Sequence, residues 1–289
     1  MKKRIMGLLM AFTLANSMLL TGCGTSGSSS DDSAAAGTDT ASETDAETET
    51  SGDDQLSQIQ AAGKIVFAME GQWSPWTYHD ENGDLVGYDT EVGKAIAEKL
   101  GVEAEFVEGE WDGLFTGLDT GRYDAIINGV EITEDRAAKY NFTDPYAYVR
   151  TALCVAEDNT DITSFEDLDG KKTSNSLGST YADMAAEYGA TVENVDTLAE
   201  TISMVTSGRV DATLNSEDSF ADYLNEHPDA PIKLVATTEE ASHVAIPLRA
   251  DSSTDTLREA INTALSELSA DGTLTELSEK YFGTDISQE

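Results

Sequence analysis

The sequence is poor in the residues that build metal sites, disulfides and nucleophilic catalytic sites. Its 289 residues include two cysteines and three histidines. His79, His227 and His243 are far apart and lack the spacing of metal ligands. Cys154 lies in the apolar run 152–156, which predicts a buried core residue rather than a reactive thiol. No nucleophile stands beside a base, so the sequence shows no catalytic constellation.

Positive charge is also scarce. Lysine and arginine number 17 against 55 aspartates and glutamates, which gives a formal net charge of -38. Such a charge argues against a nucleic-acid partner and against docking of the protein surface on anionic lipid. It does not constrain a small ligand, because a basic pocket can lie inside an acidic shell.

The N-terminus has the pattern of a signal peptide. Lys2, Lys3 and Arg4 precede the apolar run 5–20, which is too short to span a bilayer and is followed by small residues. Thr21 and Gly22 before Cys23 resemble a bacterial lipoprotein signal. This resemblance implies cleavage after residue 22 and an acylated Cys23, with the chain outside the cytoplasm and held to the membrane by more than one acyl chain. The alternative is an ordinary signal or a poor membrane anchor with a chance cysteine.

An acidic linker follows. Residues 24–54 are Ser, Thr, Ala, Gly, Asp and Glu only, and such a segment cannot bury enough apolar surface to offset its chain entropy. We therefore assign 23–57 to the lipidated Cys23 and a disordered spacer; a tail that binds a partner is the alternative. If Cys23 carries lipid, Cys154 has no disulfide partner.

The rest of the chain alternates strands with helices and then repeats the pattern. Strands are predicted at 64–69, 103–107 and 125–127, with helices between them. A second series begins after residue 148, with strands at 151–156, 172–176, 212–215, 233–236 and 244–248. The pattern predicts an α/β protein with largely parallel sheets and two lobes. Ligands in such folds lie at the carboxyl ends of strands and at helix N-termini.

Motifs along the chain resemble one family, the polar amino-acid solute-binding proteins of ABC importers (bacterial extracellular solute-binding protein family 3). They are 71–78 (GQWSPWTY), 83–89 (GDLVGYD), 121–124 (GRYD), 132–136 (ITEDR), 142–146 (FTDPY), 165–171 (FEDLDGK), 208–212 (GRVDA), 271–274 (DGTL) and 281–283 (YFG). The resemblance implies a two-lobe periplasmic-binding-protein-like type II fold with an interlobe cleft and two crossovers. Lobe one would be 58–147 plus 246–289, and lobe two 148–245. It also implies a monomer that needs no cofactor or metal and delivers its ligand to a permease.

The resemblance places the ligand carboxylate and the ligand body. Arg136 would clamp the carboxylate with parallel hydrogen bonds. The loop before a predicted helix, with Ser176, Ser179 and Thr180, would support the same carboxylate. Trp73 and Trp111 would sandwich the ligand. The alternatives are that Arg136 is a surface residue, that the serines and threonine of the loop only cap the helix, and that Trp73 and Trp111 belong to the core. Trp76 is expected to pack in the core.

The residue expected to bind the ligand ammonium differs from that in most members of the family. Ser216 stands where the family usually has an acid, and serine cannot supply the charge. Glu131 stands where many members have threonine, so we expect Glu131 to bind the ammonium. Glu217 is the alternative if the turn is shifted by one residue. Further expected pocket residues are Glu70, Asn128 and Gly129.

The closest resemblance within the family is to cystine-binding members. It rests on 75–81 (PWTYHDE), 111–114 (WDGL), 211–215 (DATLN) and 227–230 (HPDA). We therefore expect a receptor that binds a polar amino acid, with cystine favoured, by cleft closure. The alternatives are a ligand sensor for a membrane receptor and a dehydratase-type enzyme on the same fold; the expectation is that the chain is not an enzyme.

Overall fold

The computed structural model describes residues 54–289. The predicted signal peptide at 1–22, Cys23 and the linker up to residue 53 lie outside the described residues. In chain order the elements are α1 (Gln55–Ala62), β1 (Lys64–Met69), β2 (Tyr78–His79), β3 (Leu85–Val86), α2 (Tyr88–Leu100), β4 (Glu103–Glu108), α3 (Trp111–Asp119), β5 (Ala125–Ile126), α4 (Glu134–Ala137), β6 (Tyr140–Phe142), β7 (Ala147–Val149), β8 (Thr151–Ala156), β9 (Lys172–Asn175), α5 (Thr180–Glu187), β10 (Thr191–Asn194), α6 (Leu198–Thr206), β11 (Ala212–Ser216), α7 (Glu217–Glu226), β12 (Ile232–Thr237), β13 (Ser242–Val244), β14 (Pro247–Arg249), α8 (Asp255–Ala270) and α9 (Thr273–Phe282), with short 3-10 turns at Phe165–Leu168 and Ser252–Thr254.

Helix α1 corrects the end of the predicted linker. The helix begins at Gln55, whereas we assigned the linker up to residue 57. Asp54 caps the helix by accepting a hydrogen bond from the backbone N–H of Ser57. Gln55 and Ile59 are buried, and Gln55 Nε2 donates to Asp124 Oδ1 at 2.8 Å. These contacts order the chain earlier than its composition suggests.

The first sheet has strand order β4-β1-β5, and all three strands are parallel. One face is covered by α1, α2, α8 and α9, in a core that includes Phe67, Trp76 and Ile261. The other face packs against α3 through a second cluster that includes Leu114 and Leu118. Helix α2 ends at Gly101, whose φ of 73° is the left-handed conformation that glycine adopts readily. Both faces of this sheet are therefore covered by helices, as in a layered α/β unit.

The second sheet is mixed rather than largely parallel. Its order is β10-β9-β11-β8-β12, and β8 runs antiparallel to both β11 and β12. The parallel strands β9, β10 and β11 are joined by helices α5 and α6, which is the connection that parallel strands require. Strand β8 instead enters directly from the first lobe, so no helical crossover sets its direction. Cys154 lies on β8 and is fully buried, and burial raises the pKa of its thiol to about 12.

Two antiparallel pairs carry the chain between the sheets. Strand β7 leads into β8 and pairs with β13, which follows β12. Strand β14 then pairs with β6. The single strand predicted at 244–248 is thus wrong in detail: it is the end of β13 and the start of β14, which pair with different partners. The two crossings make a two-lobe type II binding-protein fold, in which the carboxyl ends of β1, β5, β9 and β11 face one cleft.

Candidate functional site

A cavity lies between the lobes, at the strand ends where α/β folds bind ligands. The first lobe contributes the residues after β1 and β5 and the start of α3. The second lobe contributes the end of β9, the start of α5, the turn before α6 and the end of β11. The wall consists of Glu70, Gln72, Trp73, Trp111, Asn128, Gly129, Glu131, Arg136, Asn175, Ser176, Ser179, Thr180, Tyr181, Asp196, Thr197, Leu198, Thr201 and Asn215.

Arg136 is held in place by backbone carbonyls of both lobes. It lies on the short helix α4, capped by Thr133. Its Nη1 donates to the carbonyl of Glu131 at 2.9 Å and its Nη2 to the carbonyl of Gly178 at 3.0 Å. Burial lowers the pKa of the guanidinium. A guanidinium has more N–H groups than these bonds use, so it still has donors for a carboxylate.

The side chain of Glu131 lies beside the start of α5 and is 5% exposed. Thr180 Oγ1 donates to Glu131 Oε1 at 2.8 Å across the cleft. Burial, followed by the charge of Glu131, raises the pKa of the neighbouring Tyr181 hydroxyl well above its usual range. The carboxylate thus lies inside the cavity, on the same stretch of chain as Arg136.

The start of α5 offers backbone donors. Ser179 is the N-cap and its hydroxyl accepts from the N–H of Ala182, so this hydroxyl is used as an acceptor and keeps its hydrogen for donation. The next N–H, of Asp183, bonds to the carbonyl of Ser179. The N–H groups of Thr180 and Tyr181 therefore have no partner within the helix, whose residues are all described. Ser176 is likewise engaged, because its hydroxyl donates to the carbonyls of Val195 and Asp196.

Aromatic rings cover the cavity from the first lobe. Trp73 stacks on Trp76 with ring centroids 5.4 Å apart, and Trp76 is fully buried, as predicted. The Arg136 guanidinium carbon lies 5.2 Å from the centroid of the Trp111 ring. Gly129 has a φ of 55°, and an added Cβ there would approach the Trp73 ring at 2.7 Å, so only glycine fits. Trp73 Nε1 is buried and finds no hydrogen-bond partner among residues 54–289.

A second acidic group lies away from Arg136. Asn128 Nδ2 donates to Glu70 Oε2 at 2.7 Å, and the N–H of Glu70 donates to Asn128 Oδ1 at 2.7 Å. Burial, together with the charges of Glu110 and Asp196, raises the pKa of Glu70 to about 7, although the hydrogen bond from Asn128 lowers it. Among the carboxylates, Glu131 acts most on Arg136, so these two form a mixed-charge part of the wall, and Glu70 with Asp196 forms a part that we call the acidic end.

The lobes contact each other around this cavity. Besides the Arg136–Gly178 and Thr180–Glu131 bonds, Ser74 Oγ donates to Asp222 Oδ2 at 2.7 Å. Trp73 packs against the cores of both lobes. The structure therefore shows the cleft in a closed arrangement.

Two predicted pocket residues, Ser216 and Glu217, lie outside the cavity wall. Ser216 is the N-cap of α7; its hydroxyl accepts from the N–H of Ser219 and donates to Ser219 Oγ at 2.8 Å. Glu217 is exposed in the first turn of α7 and borders another surface groove, with Arg150 and Asp218. Strand β11 passes directly into α7, which places both residues at the start of that helix. A role of either residue in binding stays a prediction. All the other predicted pocket residues lie on the wall.

Sequence reasoning missed one side of the cavity. The missed wall residues are Gln72, Asn175, Tyr181, Asp196, Thr197, Leu198, Thr201 and Asn215. Asn175 and Asn215 stand at the carboxyl ends of predicted strands, so the strand-end rule could have found them. The turn before α6 had no such signal, because β10 was not recognised.

Two other kinds of site are absent from residues 54–289. None of the helices there combines the length and the apolar character needed to cross a membrane. Nor do these residues bring together three His, Cys, Asp or Glu side chains that could hold a metal ion.

Two α/β lobes closed over a charged cavity at their strand ends define a solute-binding protein of the type II fold. The chain belongs to the bacterial extracellular solute-binding proteins, family 3, whose family model matches residues 65–284. It is 35% identical to the L-cystine-binding protein TcyA of Bacillus subtilis (strain 168), over 100% of both chains.

Two solved structures show the same fold. An ancestral arginine-binding protein bound to arginine is 38% identical, with a TM-score of 0.71 over 76% of this chain and 99% of its own. The L-cystine solute receptor of Neisseria gonorrhoeae, unliganded and open, is also 38% identical, with a TM-score of 0.56 over 81% of this chain and 99% of its own. At equal identity the better superposition is on the liganded protein, which agrees with the closed cleft described above.

Proposed function

We propose that this chain is an extracytoplasmic receptor that binds an amino acid, with cystine favoured, and delivers it to the permease of an ABC transporter. The observation that carries the proposal is the pairing of Arg136 with Glu131 inside one closed cavity. An α-amino acid presents a carboxylate and an ammonium close together, and these two side chains, both on the wall of this cavity, offer the complementary charges. The printed names of relatives, which include cystine-binding and arginine-binding proteins, support this class of ligand.

The α-carboxylate would lie between Arg136 and the start of α5. The guanidinium supplies charge-assisted bonds from the first lobe. The N–H groups of Thr180 and Tyr181 supply donors from the second lobe, at a helix N-terminus that favours anions. Binding there would hold the lobes together and so stabilise the closed form.

The α-ammonium would bind Glu131. This carboxylate is buried and accepts from Thr180, and its two oxygens have more acceptor positions than this bond uses. Ser216, where the family usually has an acid, is occupied as a helix cap. The proposal therefore moves the ammonium partner from the second lobe to the first.

The far end of the ligand would carry a second positive group. Glu70 and Asp196 lie at that end without a cation on the described cavity wall other than Arg136. Cystine and arginine both fit this charge. Trp73 Nε1 adds a buried donor that requires an acceptor. Cystine ends in an ammonium and a carboxylate, so it offers both kinds of group, whereas a guanidinium only donates; we therefore favour cystine.

Calorimetry tests the proposal. The full chain, refolded to remove any ligand that copurifies, is titrated with cystine, arginine, glutamine and glutamate. We expect cystine to bind with a dissociation constant of about 1 µM or lower, which is about -8 kcal/mol. Glutamate, which adds negative charge to the acidic end, should bind least. Absence of binding to every amino acid would refute the proposal, and tight binding of glutamate would refute the assignment of the acidic end.

Membrane anchoring is a separate proposal. The Leu20-Thr21-Gly22-Cys23 sequence supports acylation of Cys23, with the acidic segment as a spacer between the membrane and the lobes. Lipid on Cys23 would keep the receptor near the permease without contact between its acidic surface and anionic lipid.

A further inference from the structure

Asn175 has a buried amide oxygen that nothing in the described chain binds. It is the last residue of β9, it is 3% exposed, and it lies on the cavity wall. Its Nδ2 donates to the carbonyl of Leu214 at 2.7 Å and approaches Thr213 Oγ1 at 3.4 Å. Its Oδ1 has no hydrogen-bond partner among residues 54–289.

The chemistry of its neighbours fixes which way the amide points. The carbonyl of Leu214 can only accept. Thr213 gives its hydroxyl hydrogen to the carbonyl of Ser174 at 2.7 Å, so towards Asn175 it too can only accept. A flipped amide would set oxygen against these two acceptors. Nδ2 of Asn175 therefore faces β11, and Oδ1 is the atom without a hydrogen-bond partner among the described residues.

The other asparagines of the wall differ in this respect. Asn128 Oδ1 accepts from the N–H of Glu70, and Asn215 Oδ1 accepts from the N–H of Ser216. A buried acceptor without a donor is destabilising, and native structures rarely keep one unless a ligand or a water meets it. Asn175 is thus a polar group whose partner arrives from the cavity.

The surroundings indicate what that partner is. Val195 N–H bonds to the carbonyl of Asn175, which places Asn175 beside the turn that carries Asp196. Asp196 is in turn close enough to Glu70 to raise its pKa. The wall near Asn175 therefore carries the carboxylate of Asp196, which is exposed, and that of Glu70, so this part of the cavity is rich in acceptors. The complementary group is a positively charged nitrogen with several N–H bonds.

We infer that Asn175 is a specificity determinant, whose Oδ1 accepts a hydrogen bond from a second nitrogen of the ligand, distinct from the α-ammonium. The inference rests on the proposed amino-acid binding and adds to it a selection for ligands with two cationic groups. Glu70 and Asp196 supply charge, and the neutral amide supplies a directed acceptor that an ammonium or a guanidinium satisfies.

The test uses ligands with and without the second nitrogen. Cystine and arginine have it; S-methyl-L-cysteine has the same α-groups but lacks it. The full chain and the nearly isosteric Asn175→Leu variant are titrated with all three by calorimetry. We expect Asn175→Leu to bind cystine, or arginine if that is the ligand, at least about tenfold more weakly, and to bind S-methyl-L-cysteine as the parent does. An equal loss for all ligands, or no loss at all, would overturn the inference.

A second variant guards against a folding defect in Asn175→Leu. In Asn175→Asp the protonated acid can donate to the carbonyl of Leu214 while its other oxygen faces the cavity, so it should keep the preference for two-nitrogen ligands. Loss of that preference in a folded Asn175→Asp protein would also overturn the inference. Failure of the proposed function itself is distinct, because the parent protein would then bind none of the three ligands.

Discussion

Replacing Glu131 with glutamine removes one charge from the cavity and almost nothing else. The amide oxygen of glutamine can still accept from Thr180 Oγ1, which now lies 2.8 Å from Oε1. The residue is 5% exposed, so water cannot replace a lost ligand contact. A hydrogen bond to a charged group is worth about 1.5–3 kcal/mol, and about 1.4 kcal/mol is a tenfold change in affinity. We therefore expect Glu131→Gln to bind a free amino acid about ten- to a hundredfold more weakly.

The assay compares two ligand series in the same variant. Calorimetry with the free amino acid measures the contact between Glu131 and the ammonium, and calorimetry with the N-acetylated analogue measures binding without that charge. The loss should be large for the first ligand and small for the second. Glu217→Gln is a matched control, because Glu217 is exposed on α7 outside the cavity and should leave both affinities unchanged.

Two results would refute the reasoning. If Glu131→Gln binds the free amino acid as the parent does, the charge of Glu131 is not used. If both ligands lose affinity alike, the defect lies in folding or in closure of the cleft, since Thr180 links Glu131 to the second lobe. Thermal unfolding of the free variant separates these two causes, because a closure defect leaves each lobe folded.

Three further predictions test the clamp, the anchor and the acidic end. Arg136→Ala should bind at least about a hundredfold more weakly by calorimetry, with the fold retained, because charge-assisted bonds are lost and a carboxylate is stranded; unchanged affinity would remove Arg136 from the site. Cys23→Ala should move the protein from the membrane fraction to the soluble fraction without changing its affinity; continued membrane association without acyl mass on the N-terminus would contradict the anchor. Affinity for cystine should rise as the pH is raised through about 7, because Glu70, with a pKa of about 7, must lose its proton to meet a cation. Glu70→Gln should flatten this rise, and an unchanged slope in that variant would assign the rise to another group.

Apolar periodicity was sufficient to predict most elements of the fold. Strand β1 and helices α2 and α8 bury continuous or one-sided apolar sets, and their ends fall at glycines or polar caps. Strand β10 (Thr191–Asn194) is four residues long and only half-buried, so it has no such signal. The direction of β8 could not be predicted from the sequence either, because it depends on the crossing from the other lobe and not on the composition of the strand.

The residues of the candidate site also fall into those that the sequence could predict and those that it could not. Residues in motifs, such as Trp73 and Arg136, could be placed by resemblance, and they lie on the cavity wall. The strand-end rule could have placed Asn175 near the cavity, but it could not show that the side chain is buried there, because a polar residue at the end of a short strand has the same pattern whether it faces solvent or a closed cavity. Asp196 follows β10, which had no sequence signal. Only the burial of Asn175 and the use of its Nδ2 by β11 distinguish the two cases.

The positions of the charges determine how a ligand can drive closure. Arg136 and Glu131 both belong to the first lobe, so an open cleft would already offer partners for both α-groups of an amino acid. A ligand shifts the equilibrium only through contacts that the closed form adds. By our proposal those contacts would come from the second lobe: the N–H groups at the start of α5, and Asn175 with Asp196 at the acidic end. A ligand without a second nitrogen would gain only the contacts at the start of α5 on closing, so selectivity for two cationic groups would reside in closure rather than in the first encounter.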